Sequence, residues 1–173
     1  MARHYGHWLL RRPSDENGQQ RLADSMGFDR CGVSNRMGGR IVSGPEVGHW
    51  VAGKMNGSFS SATGTAIGLE RDGSLVAGVM YENWNQRSIT AHMAVTGLLT
   101  RSFIGAIFRY AFVKCGVNKV ILPISSGNAK SNKFAKNLGF VEEARLLDTD
   151  PQGDIILYTL KKDDCRFLGE QYG

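Results

Sequence analysis

The feature that most restricts the fold of this chain is a change of hydrophobic period near its middle. Residues 88–95 alternate in polarity, which predicts a strand with one face in the core. From Leu99 to Phe112 the apolar residues recur every three to four positions, which predicts an amphipathic helix over 100–114. A strand that leads directly into such a helix is typical of mixed α/β domains.

Further strands and helices are predicted on both sides of this segment. The runs 64–70 and 75–82 are joined by Asp72-Gly73, and Asp-Gly between two apolar runs predicts a type I′ hairpin. Pro123 leaves a gap in the hydrogen-bond ladder of the strand that contains it. The downstream elements predicted are strands at 119–124, 140–148 and 154–161 and a helix at 128–138.

The first part of the chain has weaker patterns. We predict a strand at 7–13, a helix at 16–26, a mobile loop at 29–44 that is rich in Gly, Arg and Ser, and a helix at 45–55 with Pro in its first turn. The element order is then β-α-α-β-β-β-α-β-α-β-β. A chain of this length fits one domain, 1–173.

Composition excludes several classes of protein. With 42% hydrophobic and 21% charged residues the chain is of ordinary globular type. It has no apolar run long enough to cross a bilayer and no pattern typical of a signal peptide, so we expect a cytoplasmic protein without membrane contact. Three widely spaced cysteines and four histidines give no metal-ligand spacing, so we expect reduced thiols and no metal site.

The net charge of +5 leaves the partner open. A mildly basic protein suits phosphate-rich ligands, acidic partners or nucleic acid, and it is equally compatible with a solvated basic surface. Five of the arginines in the first 40 residues could line a basic surface for nucleic acid or an acidic protein: Arg11, Arg12, Arg30, Arg36 and Arg40.

Residues 116–143 carry a more specific signal. Gly116, the strand 119–124, Asn128 and Ser131 on the next helix, and the Leu138-Gly139-Phe140 turn before Glu142 and Glu143 resemble the second half of the core of the GNAT acetyltransferases. In element order the resemblance covers 8–162. It is closest to the ribosomal-protein acetyltransferase branch and to phage-encoded GNAT-like proteins.

This resemblance implies a GNAT fold, in which a mixed central sheet flanked by helices contains two parallel strands that splay apart. Here those strands are 88–95 and 119–124, with acetyl-CoA as acyl donor between them and its pyrophosphate at the start of the next helix. The usual glycines of the pyrophosphate loop are absent, so Gly97 and Arg101 are expected to take over part of their role. The cofactor-binding residues implied are Ala94, Val95, Thr96, Gly97, Leu98, Leu99, Thr100, Arg101, Asn128 and Ser131.

The resemblance also suggests catalytic residues. The tyrosine that many relatives use to protonate the leaving thiolate corresponds to Ala135, so Ser131 is the expected proton donor. His92, on the polar face of its strand, is the first candidate for the base, because its usual pKa of about 6.5 suits neutral pH. Glu82 and Glu143 are the alternatives. The side chains of adjacent strand residues point to opposite faces of a sheet, so either Glu142 or Glu143, but not both, is expected to face the cleft.

The implied function is acetyl-CoA-dependent transfer of an acetyl group to a primary amine of a protein, peptide or small molecule. Two alternatives stay open. The amine could belong to a modified nucleic acid base, or the protein could be a non-catalytic GNAT-like binding protein, as the altered loop and the missing tyrosine would allow. We expect a monomer or a homodimer.

Overall fold

The protein is seen in a computed structural model that describes residues 39–172. This part of the chain forms one seven-stranded mixed sheet flanked by helices. The strands are β1 (Arg40–Ser43), β2 (Thr65–Arg71), β3 (Ser74–Glu82), β4 (Ser88–Val95), β5 (Lys119–Ser125), β6 (Val141–Asp150) and β7 (Gly153–Lys161). The helices are α1 (Pro45–Lys54), α2 (Arg101–Arg109) and α3 (Ala129–Asn137).

The strand order is β1-β2-β3-β4-β5-β7-β6. β4 and β5 are parallel, and the other neighbouring strands are antiparallel. The Asp-Gly hairpin between β2 and β3 is confirmed, since Asp72 and Gly73 have φ angles of 51° and 76°, as a type I′ turn requires. The predicted α/β fold class is therefore confirmed.

Helices cover the two faces of the sheet. Val47 and Val51 of α1 pack against Met80 and Ala94, so α1 covers the first half of the sheet on one face. On the other face α2 is buried along Phe103–Phe108. The buried Tyr81 hydroxyl donates to the Ile107 carbonyl of α2 over 2.8 Å, and its ring packs on Tyr110. These tyrosines therefore contribute to packing between the sheet and α2.

The helix predicted over 100–114 is present but changes geometry. α2 ends at Arg109 and continues as a π-helical turn, Tyr110–Lys114, in which the Cys115 N–H donates to the Tyr110 carbonyl over 2.9 Å. The freed Cys115 carbonyl accepts from Trp84 Nε1 over 3.0 Å. Trp84 is thereby fixed against the end of this helix.

Two predictions for the N-terminal region lie outside the described residues, namely the strand at 7–13 and the helix at 16–26. The loop prediction for 29–44 is wrong at its end, because Arg40–Ser43 forms β1 and pairs with β2 in antiparallel register. Ile41 and Val42 are half-buried there, so partial burial and pairing outweigh the turn signal of the nearby glycines.

The last described segment packs against α2, a contact that the sequence did not predict. Residues 162–172 form three short 3₁₀ turns. Phe167 stacks on Phe108 with ring centroids 5.0 Å apart, and the Tyr172 carbonyl accepts from Arg109 Nη2 over 2.6 Å. Within 39–172 no helix has the length and hydrophobicity needed to cross a membrane.

Candidate active site

The central feature of the sheet is the divergence of its two parallel strands. β4 and β5 pair at three positions, the last of which joins Thr90 to Ile121. Beyond it β4 continues to Val95 along β3, and β5 continues to Ser125 along β7. Backbone N–H and C=O groups of a strand alternate between its two edges, so both strands present unpaired groups to the gap between them. The predicted splay is confirmed at this point.

Pro123 lies in the diverging part of β5. It is aligned with Leu157 of β7 and is two residues beyond the last residue that pairs with β4. A proline is tolerated here because this part of the strand has a neighbour on one side only. The interruption predicted at Pro123 thus coincides with the opening between the strands.

The segment that connects β4 to α2 is fastened to β3. The N–H groups of Thr96 and Gly97 both donate to the Val76 carbonyl, over 2.8 and 3.0 Å. A Cβ atom on Gly97 would lie 3.0 Å from Val76 Cβ, so glycine permits this close packing. The N–H donors of Thr96 and Gly97 are thus already used, so the Gly97 N–H is not available to a phosphate.

Backbone donors are left at the beginning of α2. Thr100 is the N-cap, and its Oγ1 accepts from the Phe103 N–H over 3.1 Å. Within 39–172 no residue accepts a hydrogen bond from the N–H groups of Leu98, Leu99, Arg101 or Ser102. Arg101 is exposed at the first helical position. Free N–H groups, the helix dipole and a guanidinium together favour an anion at this end of α2.

The mouth of the gap also carries apolar surface. Leu98 is 79% exposed, and Val95 is exposed at the end of β4. The Leu98 carbonyl accepts from Arg71 Nη2 over 3.0 Å, which holds this loop in place. The side chain of Ala94, by contrast, is buried against α1. Ala94 can therefore contact a ligand only through its backbone.

On the other side of the gap, α3 begins at the end of β5. Asn128 is its N-cap, and its Oδ1 accepts from the Ser131 N–H over 3.0 Å. Ser131 is half-buried in the first turn. Ala135, which the sequence resemblance aligns with the tyrosine of many relatives, is fully buried and contributes to the core.

Asn132 is a residue of this region that the sequence analysis missed. Its Nδ2 donates to the carbonyl oxygens of Ser125 and Asn128, over 3.0 and 2.9 Å, and thereby ties the end of β5 to the start of α3. The available signal was its position one turn after the N-cap. Ser125 Oγ also donates to Asp150 Oδ1 over 2.9 Å, which holds the β6–β7 turn against the same end of β5.

His92 and Glu82 lie together on the face of the sheet that α1 covers. His92 is two residues beyond the last paired position of β4, and its Nε2 lies 3.7 Å from Glu82 Oε2. Their side chains are 19% and 25% exposed. Burial lowers the pKa of His92 below its usual 6.5, and the charge of Glu82 partly opposes this change. The imidazole is therefore neutral at pH 7 and can accept a proton.

Glu143 lies on the same face, but its carboxylate is engaged in hydrogen bonds. Its carboxylate accepts from Lys119 Nζ over 2.7 and 2.8 Å and from Thr159 Oγ1 over 2.7 Å. Hydrogen bonds from Lys119 and Thr159 lower the pKa of Glu143. Glu142 instead bonds Arg145 on the opposite face, as the alternation predicted. Glu143 is thus a weaker base than His92 and is already engaged by donors.

A groove of about 640 Å³ extends from Ser88 of β4 and Ile121 of β5 along the same face of the sheet. Here β5, β7 and β6 are not covered by α1. Lysines and an arginine line much of this groove, which is called the basic groove below. Its charged lining residues are Arg87, Lys119, Glu143, Lys161, Lys162 and Asp163.

Comparison with solved structures identifies the fold. A probable acetyltransferase matches with 26% identity over 58% of this chain and 62% of its own, at a TM-score of 0.51. The spermidine/spermine N-acetyltransferase SpeG from Vibrio cholerae matches with 14% identity over 73% of this chain and 94% of its own, at a TM-score of 0.60. The chain has the fold of the GNAT acetyltransferases.

Other comparisons limit how far this likeness extends. A dodecameric spermidine N-acetyltransferase from Vibrio cholerae matches with 17% identity over 60% of this chain and 67% of its own, at a TM-score of 0.51. The chain spans less than two thirds of the probable acetyltransferase, 62% of its length. No protein-family model and no curated protein sequence matches the chain. The ribosomal-protein and phage-like branches therefore stay predictions.

The remaining sequence predictions have mixed outcomes. Arg40 pairs with Glu70 over 2.9 Å, so this arginine is not an isolated cation; the other four arginines of the predicted basic surface lie outside the described residues. Cys115 and Cys165 are free thiols. In the described part of the chain, no group of three His, Cys, Asp or Glu residues is placed to hold a metal ion.

Proposed function

We propose that this protein is an acetyl-CoA-dependent N-acetyltransferase that acts on a primary amine. The observation that carries the proposal is the opening between β4 and β5 beyond Thr90 and Ile121, with a neutral histidine beside it. Likeness in fold to acetyltransferases supports the same reaction, and acetyltransferases that act on the amine spermidine are among the similar structures.

The residues around the gap fit an acyl-CoA thioester as donor substrate. The unpaired edges of Ala91–Val95 and Leu122–Ser125 offer hydrogen bonds to the amides of its pantetheine arm. The free N–H groups at the start of α2, with Arg101, suit its phosphates. The exposed Val95 and Leu98 offer apolar contact at the mouth. The altered loop therefore retains the donors and charge that binding needs, although its glycines are missing.

The base is needed because amines are protonated at neutral pH. Removing the proton costs about 4–5 kcal/mol at pH 7 for a lysine-like amine of pKa ~10.4, and about 1 kcal/mol for an α-amine. In the proposed reaction His92 takes this proton, directly or through water, while Glu82 stabilises the imidazolium that forms. The amine nitrogen bonds to the thioester carbonyl carbon, and the carbon–sulfur bond breaks.

The leaving thiolate needs a proton in turn. Its pKa is near that of a cysteine, about 8.5, so a modest donor is sufficient. Ser131 lies half-buried in the first turn of α3, on the far side of the gap from β4, and we assign it this role. Its hydroxyl gives a proton to the sulfur and regains one, through water, from the nitrogen, which loses its second proton as the amide forms. The Asn128 side chain holds the Ser131 backbone and so fixes the start of the helix.

The identity of the acceptor remains part of the proposal. A protein, a peptide and a small molecule all supply the required amine. An amine on a nucleic acid base stays a prediction, as do a non-catalytic binding role and assembly as a monomer or homodimer. Cytoplasmic location is likewise an expectation from the sequence.

Turnover tests the proposal directly. Purified protein is mixed with acetyl-CoA and a panel of amines that contains an α-amino peptide, L-lysine and linear alkylamines, and the release of free thiol is measured. We expect amine-dependent thiol release that the His92→Gln variant lacks. If thiol release is absent for every amine although acetyl-CoA binds, the protein is a binding protein rather than an enzyme.

A further inference from the structure

We propose that the amine acceptor carries an anionic group, and that the basic groove binds this group while the amine lies at the divergence of β4 and β5. The inference rests on the proposed function and adds the chemical class of the acceptor. Two observations support it: basic side chains outnumber acidic ones along the groove, and backbone hydrogen bonds join the three chain segments that carry them.

The charges of the groove do not cancel. Four basic side chains face two acidic ones. Lys119 is paired with Glu143, and Lys161 also lies close enough to influence that carboxylate. Arg87 and Lys162 have no ion-pair partner among residues 39–172. The groove therefore attracts an anion and repels a second cation on the acceptor.

Backbone hydrogen bonds fix the chain positions that carry Arg87 and Lys162 at one end of the groove. The Asn118 N–H donates to the Arg87 carbonyl over 3.0 Å, and the Lys162 N–H donates to the Asn118 carbonyl over 3.0 Å. Asn85 Oδ1 accepts from the Arg87 N–H over 3.1 Å. The start of β4, the start of β5 and the end of β7 are thus joined in one row.

The register gives the separation between amine and anion. Lys119 precedes Ile121 by two residues on β5, which corresponds to about 7 Å along a strand. Lys161 of β7 stands opposite Lys119. His92 lies four residues beyond Ser88, which is aligned with Lys119, so the base is about 13 Å further along the strands than the Lys119 backbone. The flexible lysine side chains extend over part of this distance, so a carboxylate several ångströms from the reacting nitrogen can contact them while the amine stays beside the gap.

Three linear amines of similar length test the inference. 6-Aminohexanoate carries a carboxylate, hexylamine is neutral at its far end, and 1,6-diaminohexane carries a second cation. We expect the largest kcat/KM for 6-aminohexanoate and the smallest for the diamine, with a ratio of roughly tenfold at low salt that shrinks as salt screens the groove.

Variants locate the effect. The double variant K161Q/K162Q should reduce the ratio of kcat/KM for 6-aminohexanoate to kcat/KM for the diamine severalfold. The control variant K136Q removes an exposed lysine of α3 on the opposite face of the sheet and should leave this ratio unchanged. A diamine used as well as the amino acid, or a preference that survives K161Q/K162Q, would overturn the inference.

Failure of the proposed function gives a different result. If no amine of the panel is acetylated, these three included, calorimetric titration of each of the three into the protein with CoA present measures the groove alone. Tighter binding of 6-aminohexanoate than of the diamine, lost in K161Q/K162Q, then supports the basic groove as an anion site although the enzyme proposal has failed. Equal binding of 6-aminohexanoate and the diamine overturns the inference that the basic groove is an anion site.

Discussion

His92 Nε2 lies 3.7 Å from Glu82 Oε2, on neighbouring antiparallel strands beside the point where the parallel strands diverge. Burial lowers the pKa of the imidazole and the nearby carboxylate raises it, and the effect of burial is the larger. A histidine in this position is a proton acceptor at neutral pH whose pKa depends on the charge of its neighbour.

The pH profile of turnover should report this pair. The neutral form of His92 is the active one and its pKa is lowered, so kcat/KM should stay high at pH 7 and fall only as the pH drops below 6.5. Glu82→Gln removes the charge that raises this pKa and should move the acidic limb to lower pH. His92→Gln should abolish the limb. Loss of the limb in Glu143→Gln instead would identify Glu143 as the base.

Ser131 should affect the chemical step and leave donor binding intact. We expect Ser131→Ala to lower kcat by roughly 10–1,000-fold, the scale of general acid catalysis, with little change in the affinity for acetyl-CoA. Ser131→Thr keeps the hydroxyl and should retain much of the rate. Full kcat in Ser131→Ala would mean that solvent protonates the thiolate.

Arg101 should act on the donor through its charge. Arg101→Glu places a carboxylate at the start of α2, near the free N–H groups proposed to hold the phosphates, and should weaken acetyl-CoA binding at least about tenfold in a calorimetric titration. Lys114→Glu makes the same change of charge about 20 Å away, beyond the far end of α2, and should have little effect. Equal losses in the two variants would indicate only a general effect of net charge.

Thr100 is expected to be a structural cap. Its Oγ1 bonds the Phe103 N–H, so Thr100→Ala should lower the free energy of unfolding by about 1 kcal/mol, as removal of an N-cap typically does. Thr100→Ser keeps the acceptor and should be close to wild type. Chemical denaturation measures both. A stable Thr100→Ala variant that no longer binds acetyl-CoA would instead assign Thr100 to the donor site.

Local patterns predicted the elements well. The hairpin at Asp72-Gly73, the change of period after Val95 and the ends of α3 at Asn128 and Gly139 depend on neighbours in sequence, and the structure agrees to within about two residues. β1 was missed because Arg40–Ser43 is short and becomes a strand only by pairing with β2.

The site could be predicted only in part. The approximate position of the gap followed from the likeness of 116–143 to a known family. The pairing of Glu143 with Lys119 and the use of the Gly97 N–H by Val76 depend on strands distant in sequence, and no local pattern encodes them. The contact of residues 162–172 with α2 is of the same kind, since it arises from aromatic packing across the fold.

Hydrogen exchange with and without acetyl-CoA tests most directly whether the gap between β4 and β5 holds the acyl donor. At millimolar acetyl-CoA, amides of residues 91–102 and 122–131 should exchange more slowly, because the ligand covers unpaired strand edges and the starts of α2 and α3. Amides of β2, which pairs on both sides, should be unchanged. Unchanged exchange throughout 91–102 and 122–131 at this concentration would contradict the account.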